Sequence, residues 1–155
     1  MMKKYFPYLL SIGIALGIGG LSAFLTKDSM PFYSAVKQPP LSPPAWVFPI
    51  IWSVLFVLMG IASAFYWCKN GNRFDKALFL YGLQLVFNFC WTLIFFNFRA
   101  FFFAFLWLLA LLLMIAGTAH LFSRKSRVAG RLMIPYLLWV TFAGYLNFGV
   151  FLLNP

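Results

Sequence analysis

Charged residues fall along the chain in clusters, and between the clusters lie five long uncharged stretches. Tyr5 to Thr26 holds 22 residues without a charge, Gln38 to Cys68 holds 31, Ala77 to Phe98 holds 22, Ala100 to His120 holds 21 and Leu132 to Pro155 holds 24. About 20 apolar residues carry a helix across the hydrocarbon core of a bilayer. Backbone groups in lipid must find their partners within the same segment, so each stretch is expected to be helical. Barrel strands would be half as long and would alternate apolar with polar positions. The pattern predicts an all-α membrane protein, a bundle of five transmembrane helices forming one integral membrane domain over residues 1–155. The expected spans are 5–26, 44–68, 77–98, 100–122 and 132–153, with a long loop at 27–43. Pro39, Pro40, Pro43 and Pro44 place the start of the second span near Pro44, because proline suits the first turn of a helix better than its interior. Pro49 then marks either a kink or the true start, and Pro7 and Pro135 stand at the heads of the first and fifth spans. Lys3 and Lys4 followed by an apolar stretch resemble a signal peptide, but the stretch is long for that role and no clear A-x-A site follows. It is read as a retained helix.

Within the spans the polar and large aromatic residues keep helical spacing. Gln84, Asn88 and Trp91 share one stripe of the third span. Tyr136, Trp139, Ala143 and Asn147 share one of the fifth, and Pro49, Trp52, Phe56 and Met59 one of the second. An amide in hydrocarbon is costly unless it finds a partner, so these stripes are expected to face inward. Two readings follow: hydrogen bonds from helix to helix, or the lining of a cavity. Trp46, Trp67 and Trp107 suit the membrane interfaces, where indoles gather. Trp52, Trp91 and Trp139 lie deeper, where an indole face suits a flat, mostly apolar guest. The loop at 27–43 carries prolines together with Phe32 and Tyr33, and is either a lid over such a cavity or an ordered tether. Gly13-x-x-x-Gly17, followed by Gly19 and Gly20, offers a face for close helix packing.

Composition sharpens the class. Hydrophobic residues make up 64% of the chain and charged residues 9%, against about 25% charged in a soluble domain, and the mean hydropathy is +0.92. A soluble, secreted or disordered chain is excluded. The net charge of +10 is scattered between uncharged runs rather than gathered on one face, which argues against nucleic acid as a partner. Nine of the twelve Lys/Arg residues fall on the side that holds the N-terminus. By the positive-inside rule this predicts a cytoplasmic N-terminus and an external C-terminus, as suits a bacterial plasma membrane. Cys68 and Cys90 read as small buried hydrophobes, and His120 as an interfacial residue. There is no carboxylate inside any span, no phosphate-binding loop, no Ser/His/Asp set and no metal-ligand cluster. Acid–base catalysis and ion-coupled transport therefore have no visible machinery.

Three blocks carry a resemblance. They are Pro43-Pro44-Ala45-Trp46-Val47-Phe48-Pro49-Ile50-Ile51-Trp52-Ser53-Val54-Leu55-Phe56 continuing to Met59-Gly60-Ile61-Ala62, then Gln84-Leu85-Val86-Phe87-Asn88-Phe89-Cys90-Trp91 followed by Phe95-Phe96, then Pro135-Tyr136-Leu137-Leu138-Trp139-Val140-Thr141-Phe142-Ala143 with Leu146-Asn147. In order and spacing the chain resembles the TspO/MBR family, the tryptophan-rich sensory proteins related to the mitochondrial translocator protein. The resemblance implies a five-helix bundle, often a homodimer in the lipid bilayer, that serves as a receptor or sensor. Its ligand would be a porphyrin or haem-related tetrapyrrole, or another small hydrophobic molecule, with no cofactor required. Carried over by motif, the site would use Tyr33, Pro43, Trp52, Phe56, Asn88, Trp91, Trp139 and Ala143, and the stripes add Gln84 and Asn147. Two further activities are implied by the resemblance: carriage of such ligands, and light-dependent porphyrin breakdown, in which Trp52 and Trp139 would act without any acid–base residue. The chain departs from the family at Gln38-Pro39-Pro40-Leu41, where a loop lysine and tryptophan are missing, and at Phe56, which stands for a common tyrosine. No basic residue follows Tyr145, so the sterol-recognition pattern of animal members is absent.

Overall fold

The computed structural model describes residues 2–154. Its helices are α1 (Met2–Thr26), α2 (Met30–Ala35), α3 (Val47–Lys69), α4 (Lys76–Thr92), α5 (Phe101–Lys125), α6 (Arg127–Leu132) and α7 (Ile134–Leu153). A 3-10 turn at Lys27–Ser29 joins α1 to α2, and a π-helical turn at Leu93–Asn97 extends α4. Five of the resulting rods are long and apolar enough to cross a membrane. The protein is an all-α integral membrane protein, with no strand among the described residues.

Proline and capping chemistry set the ends. The second span starts at Val47 rather than at Pro44, and Pro49 is the third residue of α3. Its missing N–H falls among donors that have no intrahelical partner in a first turn. Pro135 occupies the second position of α7 for the same reason. Pro7 lies inside α1 rather than at its head, because the helix already starts at Met2. The Asp75 carboxylate accepts from the Leu78 amide and caps α4, and the Ser126 hydroxyl caps α6 by accepting from Ala129. The expected loop at 27–43 is half helical, since α1 runs almost unbroken through the 3-10 turn into α2.

Packing is uneven along the bundle axis. α1 lies against α3, and α5 lies between α4 and α7, whereas α3 touches α4 and α7 only sparsely. At the basic end that gap is filled. Tyr66 stacks on Phe122 at 4.7 Å, Tyr81 leans on the same ring, and α6 closes over α3. Leu111, Ile115, Met133 and Tyr136 are fully buried there. At the opposite end the gap stays open. The Gly13-x-x-x-Gly17 face is not packed within the chain, since a Cβ at either glycine would meet nothing within 4 Å. The close contacts of α1 are made elsewhere. Gly60 lets Ile12 approach so near that a Cβ would sit 2.5 Å from the Ile12 Cα, and Gly19 lies against the Phe56 ring. Cys68 is exposed rather than buried, because it sits one residue before the end of α3.

Candidate ligand-binding cavity

The open end of the gap is a cavity of about 420 Å³, within the range of about 300–1,000 Å³ usual for small-molecule sites. Its walls come from α1, α3, α4 with its π turn, and α7, while α5 contributes none of them. Tyr33, Trp52, Phe56, Asn88, Trp91, Trp139, Ala143 and Asn147 all line it. Pro43 and Gln84 do not. Pro43 precedes α3 on the approach to the helix, outside the wall. Gln84 lies one turn deeper than Asn88, in the packed half of the gap. It is fully buried, accepts a hydrogen bond from the Tyr136 hydroxyl at 2.7 Å and places its amide nitrogen 3.9 Å from the Met59 sulfur.

The polar stripes are joined to one another and face the cavity as well. The Asn88 amide donates to the Tyr136 oxygen at 2.7 Å, and Tyr136 in turn donates to Gln84. The Trp91 indole donates to Asn147 Oδ1 at 3.1 Å, and Asn147 donates to the Phe101 carbonyl at 2.9 Å. Asn88, Trp91 and Asn147 thus bond from helix to helix and line the cavity as well, while Gln84 and Tyr136 only bond. One donor in the wall is left over: the Trp139 Nε1–H is buried with no hydrogen-bond partner. Buried polar groups are nearly always paired; this one is shielded from the open space, so an acceptor there would reach it only after the ring turned.

Aromatic rings form most of the surface. Trp52 and Trp139 stand 6.5 Å apart at 88° to each other. A flat guest cannot lie face-on against both. It can stack on one and meet the edge of the other, an arrangement aromatic quadrupoles favour. The segment after α1 closes the top. Tyr33 of α2 is buried and packs edge-on against Phe48 and Phe96, at 5.9 and 5.4 Å. Its neighbour Phe32 stacks on Phe101, with the Arg99 guanidinium 3.7 Å from the ring. The rest of the loop is tied to α7. Asn154 and Lys37 exchange two hydrogen bonds, Tyr145 donates to the Pro40 carbonyl, and Pro39 sits so close to Gly149 that a Cβ there would lie 2.5 Å from its ring.

Residues 11–153, which carry all of these walls and the closing segment, match the TspO/MBR family. The chain belongs to the TspO/MBR family. It is 35% identical to the tryptophan-rich protein TspO of Chlorobaculum tepidum over the full length of both. It is 36% identical to the tryptophan-rich sensory protein of Cereibacter sphaeroides, covering 85% of this chain and 81% of that one. Human translocator protein is 33% identical, with 90% and 82% covered. In this TspO/MBR protein Lys27 is a wall residue with no sequence signal of its own, whereas Phe95 and Phe96 follow the second motif block. Lys27 reaches the cavity wall, but its Nζ lies 4.4 Å from the ring centre of Phe24, an exposed residue outside the lining. Phe95 and Phe96 enter from the π turn, whose wide bond from the Phe98 amide to the Leu93 carbonyl measures 3.0 Å. Such turns insert a residue into a helix and recur at functional sites. Trp107, expected at an interface, is instead held between α4 and α5, stacked on Phe87 and donating to its carbonyl at 2.9 Å.

Proposed function

We propose that this cavity binds a tetrapyrrole, a porphyrin or haem-related ring, and that the protein acts as a membrane receptor or sensor for it. The observation that carries the reading is a cavity walled by the indoles of Trp52, Trp91 and Trp139 with Tyr33 beside them. A planar macrocycle has the apolar faces that Trp52 or Trp139 stack on. Lys27, at the wall, supplies a cation for an acidic side group of the ring once its ammonium turns from Phe24, in a chain whose loop has lost the lysine expected from the family pattern. Charge-assisted bonds of this kind are about twice as strong as neutral ones.

The test is titration with protoporphyrin in detergent, read by quenching of indole fluorescence and by porphyrin absorbance. Binding saturates in the parent protein. The double variant Trp52→Phe/Trp139→Phe weakens it about tenfold or more, since each aromatic contact is worth about 0.5–1.5 kcal/mol beyond area, while Trp91 still reports occupancy. Lys27→Met weakens a porphyrin bearing carboxylates and leaves its methyl ester unaffected. Unchanged affinity in the double variant overturns the stacking site.

A further inference from the structure

A second recess, of about 290 Å³, opens on the outside of the bundle at its basic end. It is lined by Ala119, His120 and Ser123 of α5, Arg127, Gly130 and Arg131 of α6, and Ile134 of α7. Gly130 creates it. A Cβ there would lie 2.5 Å from the Ser123 Cβ and 3.0 Å from the Ala119 carbonyl oxygen, so α6 folds back directly onto α5. Arg127 and Arg131, one helical turn apart, are thereby brought over the same hollow. The chain has only two acidic side chains. Asp75 is engaged by Tyr66, Asn70 and Leu78, and Asp28 belongs to the far end of the bundle. Among the described residues, Arg127 and Arg131 face no carboxylate. The Ser123 hydroxyl proton goes to the His120 carbonyl at 2.7 Å, and the floor of the recess is almost wholly apolar, so the donors are the exposed guanidinium groups of Arg127 and Arg131 at its rim.

We propose that the basic rim of this recess holds the phosphate headgroup of an anionic phospholipid, whose apolar carbons lie against the floor. Its position commits the site to a lipid rather than to a free anion. It straddles the end of the uncharged stretch of α5, with Ala119 and Ile134 on the apolar side and the arginines on the polar side. Exposed apolar residues continue from it toward the membrane centre, Leu113 of α5 at 75% and Leu138 of α7 at 65% exposure, where an acyl chain would run. Basic hollows between membrane helices take anionic headgroups by this combination of charge and apolar flank. The site is separate from the aromatic cavity and shares no residue with it.

The experiment counts lipids retained by the purified protein in native mass spectrometry, after titration with phosphatidylglycerol or phosphatidylcholine of matched chains. Phosphatidylglycerol is expected to be retained in preference. Arg127→Gln/Arg131→Gln lowers that retention about tenfold or more, from about 1 kcal/mol per basic residue near a lipid surface. Lys69→Gln/Arg73→Gln removes the same charge from another loop and leaves retention unchanged. Should the arginine pair fail to fold, the single variants are read instead, each with about a fivefold loss. Equal retention of the two lipids, or retention that survives loss of the arginines, overturns the proposal. Displacement of phosphatidylglycerol by an equal concentration of inorganic phosphate also overturns it, in favour of a free-anion site.

Discussion

At the scale of single residues, the membrane interior makes every polar atom consequential, and Tyr136 is the most connected of them. Its hydroxyl accepts from Asn88 and donates to Gln84, both at 2.7 Å, with all three side chains buried. Tyr136→Phe keeps the ring and its packing while stranding an amide donor on one side and a carbonyl on the other. An unsatisfied buried group costs about 1–3 kcal/mol, and interhelical bonds in membranes run lower, near 0.6 kcal/mol. The expected loss is therefore about 1–2 kcal/mol, read as a lower melting temperature in detergent. Gln84→Leu in the same background should restore part of it, since it removes one stranded partner. The inward direction of these residues was legible from spacing alone: Gln84 with Asn88, and Tyr136 with Asn147, repeat at helical intervals. Which amide meets which hydroxyl was not, because that depends on the rotation and axial offset of one helix against another, and no local pattern encodes either. The same gap separates Gln84 from Asn88. They sit one turn apart on one stripe, yet the first is sealed in the packed half and the second borders the cavity.

Among the elements, α4 has the end most exposed to chemistry. Burial alone would raise the pKa of Asp75. The Tyr66 hydroxyl, the Leu78 amide and the nearby Lys125 outweigh burial and hold it below the ordinary aspartate value. A carboxylate lowered in the folded state stabilises the fold at neutral pH and loses that contribution as pH falls through the lowered value. With only two acidic side chains in the chain, the acid limb of the stability curve is expected to be dominated by this one group. Asp75→Asn should melt lower than the parent at pH 7 and show a flattened fall between pH 5 and the acid limit; a fall as steep as the parent's refutes the cap. Five spans could be read from charge spacing because bilayer thickness dictates their length. The helical course of residues 27–35 could not, since its single buried ring, Tyr33, is fixed by Phe48 and Phe96 from distant segments. The π turn at Leu93–Asn97 left no trace either, as its sequence differs in no way from ordinary helix.

For the whole molecule, the two ends differ in packing as well as in charge. The basic end is solid around Phe122 and Tyr136 and carries the recess rimmed by arginines, while the other end is hollow, with Met30 and Tyr33 of α2 in its wall. Since nine of the twelve cations lie on the solid side, the positive-inside rule predicts that this side meets the cytoplasm and that the hollow end faces outward. The chain carries its own probe of this arrangement. Cys68 is exposed at the solid end, and Ser34 is exposed on α2 at the other. In intact cells a membrane-impermeant maleimide should label the added thiol of Ser34→Cys at once and leave Cys68 unlabelled until the membrane is permeabilised. Labelling of Cys68 in sealed cells, with Ser34→Cys protected, would invert the molecule. The aromatic cavity would then close toward the cytoplasm, and its ligand would have to be one that the cell presents from within.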